Sequence, residues 1–518
     1  MTLDLAIPGQ LAIALLPEIV LAVGTMALLL FAVWRPESDS QQRAVGVGAL
    51  IVAFASLAAV GYMAMAGHEA PGGVLAVDNF RWAASAILLL GAILTIALSV
   101  DYQRVDGITT SETHVLVLLA TSGMLLLAGS RDLVLTFLGI ELMSIPVYVL
   151  AASDRRSAPS AEGGLKYFIL GAFSTAFLLY GMTLIYGLAG GTDYRTIAAA
   201  VLAPGALESP LLAVGIGLLI IGFGFKVAAV PFHVWAPDAY DGAPSPQAGF
   251  MAATVKAAAF AAFIRLFVEV FPTAIESWHL ALWWLAAVTM IVGNVIGLVQ
   301  RNIKRLLAYS SIAHAGYILI AVVVGVGATS ADTVVTGSGA FLFYLFSYTL
   351  ATMGAFGVVS ALGRRDGKYL FLDDYAGLWA ARPGLALAMS VFMLALLGFP
   401  VFGGIGFFAK WYMIQAALRG GAEPQTRLAA LLVLASVISA GYYLSVVRVM
   451  FMRPRADDAP PLPRVGGFTN AVIAGTAILI LIFGFAPSQV LRAMSGSSLR
   501  PAAEVVTPVA QSAAAVGR

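Results

Sequence analysis

The sequence has no cysteine among its 518 residues. That excludes disulfides, and it excludes thiolate ligation of iron–sulfur clusters or zinc by this chain. Charge is nearly as scarce: Asp, Glu, Lys and Arg make up 11% of residues, against 60% hydrophobic. Soluble domains carry about 25% charged residues, so a soluble globular class is excluded. The net charge of +2 says nothing about nucleic acid, and no nucleic-acid partner is expected. Short alternating segments of the β-barrel kind are missing. The first apolar block is long and has no basic segment ahead of it, so it reads as a retained helix rather than a cleaved signal. Phosphate loops are missing as well, since GTDYRTIAAA and GGIGFFAK lack the strand context and spacing of nucleotide motifs. The five histidines, His68, His114, His233, His279 and His314, offer no convincing facing pair for haem.

What the chain has instead is apolar runs of bilayer length, roughly 20 residues each. The pattern predicts an all-α polytopic membrane protein with fourteen spans. They cover approximately 11–34, 43–66, 80–100, 112–130, 131–152, 162–190, 210–239, 246–271, 278–300, 303–326, 335–362, 383–419, 427–452 and 468–491. Connections after odd-numbered spans hold fifteen Lys and Arg, and those after even-numbered spans hold five. The positive-inside rule then places the odd connections in the cytoplasm and both termini outside. The tail after Leu499 reads as a weakly ordered extension.

Spans 7 and 12 are too long for one plain helix, and each contains a proline and a lysine: Lys226 with Pro231, and Pro400 with Lys410. Five spans separate them, so they cross in opposite senses. That is the pattern of two inverted five-helix repeats with discontinuous helices 7 and 12. It divides the chain into a three-helix segment (1–111), a first half (112–271), a second half (272–452) and a C-terminal helix with its tail (453–518).

Each charge at a helix centre costs roughly 2.5–3.5 kcal/mol on insertion scales. Glu141, Lys226, Lys256 and Lys410 lie well inside spans, and together they cost on the order of 10 kcal/mol unless paired or wetted. Such charges usually line an ion or proton path. Pro231 and Pro400 should free the carbonyls of Val227 and Leu396, and freed backbone groups persist at membrane depth only where protein or water satisfies them. The lysines could use the same polar pockets as protonation sites. The plainer alternatives are a structural ion pair for an intramembrane lysine, snorkelling for Lys166, and a local i,i+4 helix pair for Arg265 and Glu269. Arg448 reads as snorkelling and Glu18 is ambiguous. His314 and His233 are each either a proton relay or a packed polar residue.

Five stretches carry a resemblance: GIELMSIPVYVLAAS (139–153), GLKYFILGAFSTAFLLYG (164–181), FKVAAVPFHVWAPDAYDGAPSP (225–246), KRLLAYSSIAHAGYILI (304–320) and GFPVFGGIGFFAKWY (398–412). The chain resembles the proton-translocating, antiporter-like membrane subunits of respiratory complex I, most closely their N type. The ELMS context and the lysine of span 12 separate it from the M type, and it ends before the lateral helix of the L type. The resemblance implies a path of Glu141, Lys226, Lys256 and Lys410, with Glu141 paired to Lys226. It also implies that Lys166 modulates that pair and that His314 lines the route between halves. NADH, FMN, iron–sulfur clusters and quinone are then expected on partner subunits, with no cofactor on this chain. The expected partners are membrane subunits of the K, M and J types, together with lipids. The expected site is the bacterial inner membrane. One departure is Val401, where the family often has a second proline in helix 12. An Mrp-type cation/proton antiporter subunit is the alternative, and a structural spacer in a hydrogenase-like complex is a third.

Overall fold

The computed structural model describes residues 2–34, 38–70, 72–106, 110–325, 337–363, 370–400, 404–419, 424–456, 462–497, 499 and 502. Val401, Gly403, Arg35, Arg364, Arg365, Lys368 and all but one residue of the tail beyond Leu499 lie outside the described residues. Among the described residues, twelve helices are long and apolar enough to cross a bilayer. Spans 1 to 6 are Leu16–Trp34, Asp39–Ala66, Asn79–Asp106, Glu112–Gly129, Leu133–Ala151 and Ala158–Ala189. Span 7 is split into half-helices 7a (Pro210–Lys226) and 7b (Ala236–Gly242). Spans 8 to 11 are Ser245–Val270, Ile275–Leu298, Ile303–Val324 and Gly337–Leu362. Span 12 is split into 12a (Pro383–Leu397) and 12b (Ile405–Arg419), and spans 13 and 14 are Thr426–Met452 and Gly467–Phe485.

Two ends differ from expectation. A separate short helix, Pro8–Ala14, precedes span 1, and span 14 stops at Phe485 before another short helix, Pro487–Ser495. Pro487 lacks an N–H and pushes Ala486 out of helical dihedrals, to φ −129° and ψ 50°.

Spans 5 and 10 begin with matching polar caps. Asp132 caps span 5 by accepting from the N–H of Val134 (2.8 Å) and Leu135 (3.0 Å). Asn302 caps span 10 in the same way, accepting from Lys304 (2.9 Å) and Arg305 (3.2 Å). Each capped start is also pinned by an isolated β-bridge, Asp132 to Asp193 and Asn302 to Phe371. Aligning the caps places Glu141 opposite Ser311, and Ser144 opposite His314.

Polarity increases inward. Span 8 is buried along its whole length, and spans 10 and 11 nearly so. Span 1 turns Val23, Met26 and Leu30 outward, span 6 turns Phe168 and Phe173, and span 13 turns Leu434 and Val437. Apolar side chains suit a lipid-facing surface, whereas a charge on span 8 must find its partners within the protein.

Candidate functional site

Half-helix 7a ends at Lys226, the residue that the opening of the span leaves at a helix C-terminus. A cation is favoured there by the negative end of the helix dipole. Past it the chain turns through Ala228 at φ 57° and a cis Val230–Pro231 bond. Backbone and side chains share the polar groups of the turn: the N–H of Ala229 donates to the Gly224 carbonyl at 2.8 Å. The carbonyl of Phe225 accepts from the Trp235 indole at 3.1 Å, and the N–H of Val230 donates to Thr289 at 3.0 Å.

Lys226 is buried and donates to Ser144 Oγ at 2.9 Å and to Tyr148 OH at 3.1 Å. Both acceptors lie on span 5, on the helical face that also carries Glu141. Glu141 accepts instead from Thr175 of span 6, at 3.0 Å. The expected Glu141–Lys226 pair is therefore a facing arrangement and not a direct ion pair. Two hydroxyls hold the lysine, and a third holds the carboxylate.

Lys256 follows a π-helical turn, Met251–Val255, within span 8. Such turns loosen the backbone ladder and recur at functional sites. Its Nζ donates to the backbone carbonyl of Ser311 at 3.0 Å and to Ser311 Oγ at 2.5 Å. One helical turn further along span 10, His314 Nδ1 is 2.7 Å from Tyr344 OH, and Nε2 is 3.1 Å from Tyr443 OH. Tyr443 also bonds Ser310. Beside it, Tyr442 donates to Asn294 Oδ1 at 2.9 Å, and Asn294 donates to Tyr317 OH at 2.9 Å.

Lys410 lies on 12b and reaches back across the break. It donates to the carbonyl of Leu397, the last residue of 12a, at 2.8 Å, and to Ser436 of span 13 at 3.0 Å. Its ammonium lies 4.8 Å from the centre of the Tyr317 ring. The carbonyl it uses is thus one residue beyond the one expected, Leu396. Gly398 makes the turn possible. It adopts φ 75°, and a Cβ there would lie 2.8 Å from Lys410 Cδ. The two breaks are not equivalent, because Lys226 ends the half-helix before its break and Lys410 sits after its own.

The structure thus brings Lys256, His314 and Lys410 into one row of hydroxyls and amides, with Lys226 and Glu141 on the facing spans of the first half. Lys166 stands elsewhere. It is 44% exposed and paired with Glu162 at 2.7 Å and Asp238 at 2.8 Å, and Asp238 also holds Arg305 at 2.8 Å. His233 lies in the span 7 turn, half-buried, with Nδ1 unpartnered among the described residues. It joins none of the bonds described above.

Sequence reasoning missed the hydroxyls: Ser144, Tyr148, Thr175, Ser311, Tyr344, Tyr443 and Ser436. Helical spacing was the available signal, because Ser144 and Tyr148 follow Glu141 on one face. A second feature was underread. Arg265 and Glu269 do pair, at 2.7 Å, but Arg265 also bonds Asp78 twice, at 2.8 and 2.9 Å. Arg131 bonds Glu269 at 2.9 and 3.2 Å. Burial pushes the Asp78 carboxyl up, but the charges and bonds of Arg265 and Arg131 outweigh it and hold it well below the usual carboxylate range. Glu18 is similarly resolved, paired with buried Arg81 at 2.7 Å.

Residues 130–447 match the family described as NADH:quinone oxidoreductase/Mrp antiporter, transmembrane. The NADH-quinone oxidoreductase subunit N of Gemmatimonas aurantiaca is 49% identical over 493 residues, covering 93% of this chain and 92% of that protein. A chain of respiratory complex I from Thermus thermophilus, solved with bound aureothin, superposes with a TM-score of 0.75 at 35% identity, covering 93% of this chain and all of that one. A chain of the Mrp complex from Dietzia sp. reaches a TM-score of 0.80 at 21% identity, over 98% of this chain and 99% of that one. At that identity the likeness is one of fold.

Proposed function

Since the chain belongs to the subunit N family of NADH:quinone oxidoreductase, we propose that it carries protons across the membrane along Glu141, Lys226, Lys256, His314 and Lys410. The observation that carries the reading is that three buried lysines each rest on hydroxyls or a bare carbonyl, with no carboxylate in contact among the described residues. A lysine held this way can give up its proton without stranding an anion, so it can serve as a relay. Glu141 sets the first step. When its carboxylate approaches Lys226 the ammonium is stabilised, and when it turns to Thr175, as here, the proton is free to move on.

Between lysines the proton travels on hydroxyls and water. Tyr240, Gln247, Thr254, Thr349 and Thr352 present buried oxygens without partners among the described residues, which suits bound water. His314, bonded at both ring nitrogens, passes protons between Tyr344 and Tyr443. In this scheme residues 112–271 and 272–452 act as two linked half-units, and the flanking segments support them. Lys166 acts from the inner surface through Asp238 and Half-helix 7b, and His233 acts from the turn beside it. Redox chemistry of NADH, FMN, iron–sulfur clusters and quinone takes place on partner subunits, with K-, M- and J-type membrane subunits and lipids as neighbours. Both termini face the periplasm.

The test is Lys226→Ala in the assembled complex, reconstituted in liposomes. The ratio of protons pumped to NADH oxidised should fall while assembly on native gels is retained. An unchanged ratio in a fully assembled variant would overturn the role.

A further inference from the structure

A cleft of about 690 Å³ opens between the start of 12a and the start of span 14. Arg382, Arg464 and Asn470 line it. Leu385 and Ile473 line it too but are buried, at 7% and 3% exposed. No acidic side chain among its lining residues offsets the arginines, and neither guanidinium has a hydrogen-bonded or ionic partner among the described residues.

A neighbouring cleft makes a useful contrast. It is about 730 Å³ and also touches the start of span 14, but its Arg43 and Arg104 share it with Asp39 and Asp101. Asp101 is further committed to the N–H of Thr469, at 2.8 Å. Among the described residues, the charges of that cleft balance, whereas the first carries two positive charges with no acidic residue lining it.

The basic-residue bias assigns both clefts to the cytoplasmic end. Arginines there face anionic headgroups, and the same two spans go on to expose Leu387 and Ile478, an apolar surface for an acyl chain. A free inorganic anion would leave Leu387 and Ile478 unused, and a zwitterionic lipid would leave the charge unmatched. We infer that the Arg382–Arg464 cleft binds one anionic phospholipid, with its phosphate at the guanidiniums and a chain along Leu387 and Ile478.

The experiment is native mass spectrometry of the purified complex equilibrated with phosphatidylglycerol or phosphatidylethanolamine. Each basic side chain at an anionic lipid surface strengthens binding about fivefold, so Arg382→Gln with Arg464→Gln should weaken phosphatidylglycerol binding roughly thirtyfold. The lysine pair, Arg382→Lys with Arg464→Lys, should keep most of it. Arg43→Gln with Arg104→Gln should change nothing at this site. Should the double glutamine variant fail to assemble, Arg464→Gln alone should show the fivefold loss. Equal retention in wild type and glutamine variants overturns the proposal. So does equal binding of phosphatidylethanolamine, or a wild-type complex that holds no phosphatidylglycerol because a neighbouring subunit fills the cleft.

Discussion

Removing Asp78 or Arg265 should destabilise the chain, and removing both should cost less than the two losses added. The four-membered cluster of Asp78, Arg131, Arg265 and Glu269 is electrically neutral and joins the start of span 3, the span 4–5 connection and the end of span 8. Arg265 is 0% exposed, Glu269 1% and Asp78 27%. Breaking a fully buried pair costs about 3–5 kcal/mol because one charge is left uncompensated. Asp78→Asn leaves a surplus positive charge, but Asp78 is partly wetted and Arg265 keeps Glu269, so a cost just below that range is expected, about 2–3 kcal/mol. Arg265→Met leaves two carboxylates beside Arg131 alone, and about 4–5 kcal/mol is expected. The double variant is neutral again and keeps the Arg131–Glu269 bonds. It should be about 2 kcal/mol more stable than additivity allows. The assay is a double-mutant cycle of unfolding free energies, from SDS titration of the detergent-solubilised protein.

Acid adds a second check on the same residues. A carboxyl held below its unfolded value of about 3.9 gives stability that is complete at neutral pH. That stability fades as pH falls below about 5 and is lost only once the folded-state carboxyl also protonates. Asp78→Asn should flatten this acid limb. Single-variant losses that simply add within about 0.5 kcal/mol, or an unchanged acid limb, would refute the reasoning.

Other variants test the row of proton sites. Tyr443→Phe removes the bonds to Ser310 and His314. Leaving a buried ring nitrogen unpartnered costs about 1–3 kcal/mol, so the complex should assemble and oxidise NADH while pumping fewer protons in the liposome assay. Gly406→Ala would drive a methyl into the carbonyl oxygen of Ala395, well inside van der Waals contact. Backbone must shift, at roughly 1–3 kcal/mol, and native gels should show less assembled complex. Ser436→Ala takes from Lys410 its side-chain acceptor and leaves the Leu397 carbonyl. Pumping should fall less than in Lys410→Met, and equal losses would argue against shared holding.

Membrane class, the number of crossings, the two broken spans and the central lysines are all legible in the amino-acid sequence. The reason is energetic. Lipid forbids unpaired charge and unsatisfied backbone, so each Lys, Glu and Pro inside an apolar run shows as an exception. Partner choice was decided by the tertiary structure. Whether Lys226 meets Glu141 or the Ser144 and Tyr148 hydroxyls depends on the axial offset of span 5 against 7a, because all three share one helical face, and hydrophobic patterning is blind to that offset. Repeat register was likewise hidden. The lysine–proline clusters suggested an alignment, but the residues that mark it are the caps Asp132 and Asn302, and these differ in identity. Lys166 shows the limit from the other side. Its place near a span end allowed either a buried or a surface role, and packing of 7b settled its partner as Asp238. Contacts between distant segments, such as Asp78 with Arg265, exist only once spans 3 and 8 lie side by side.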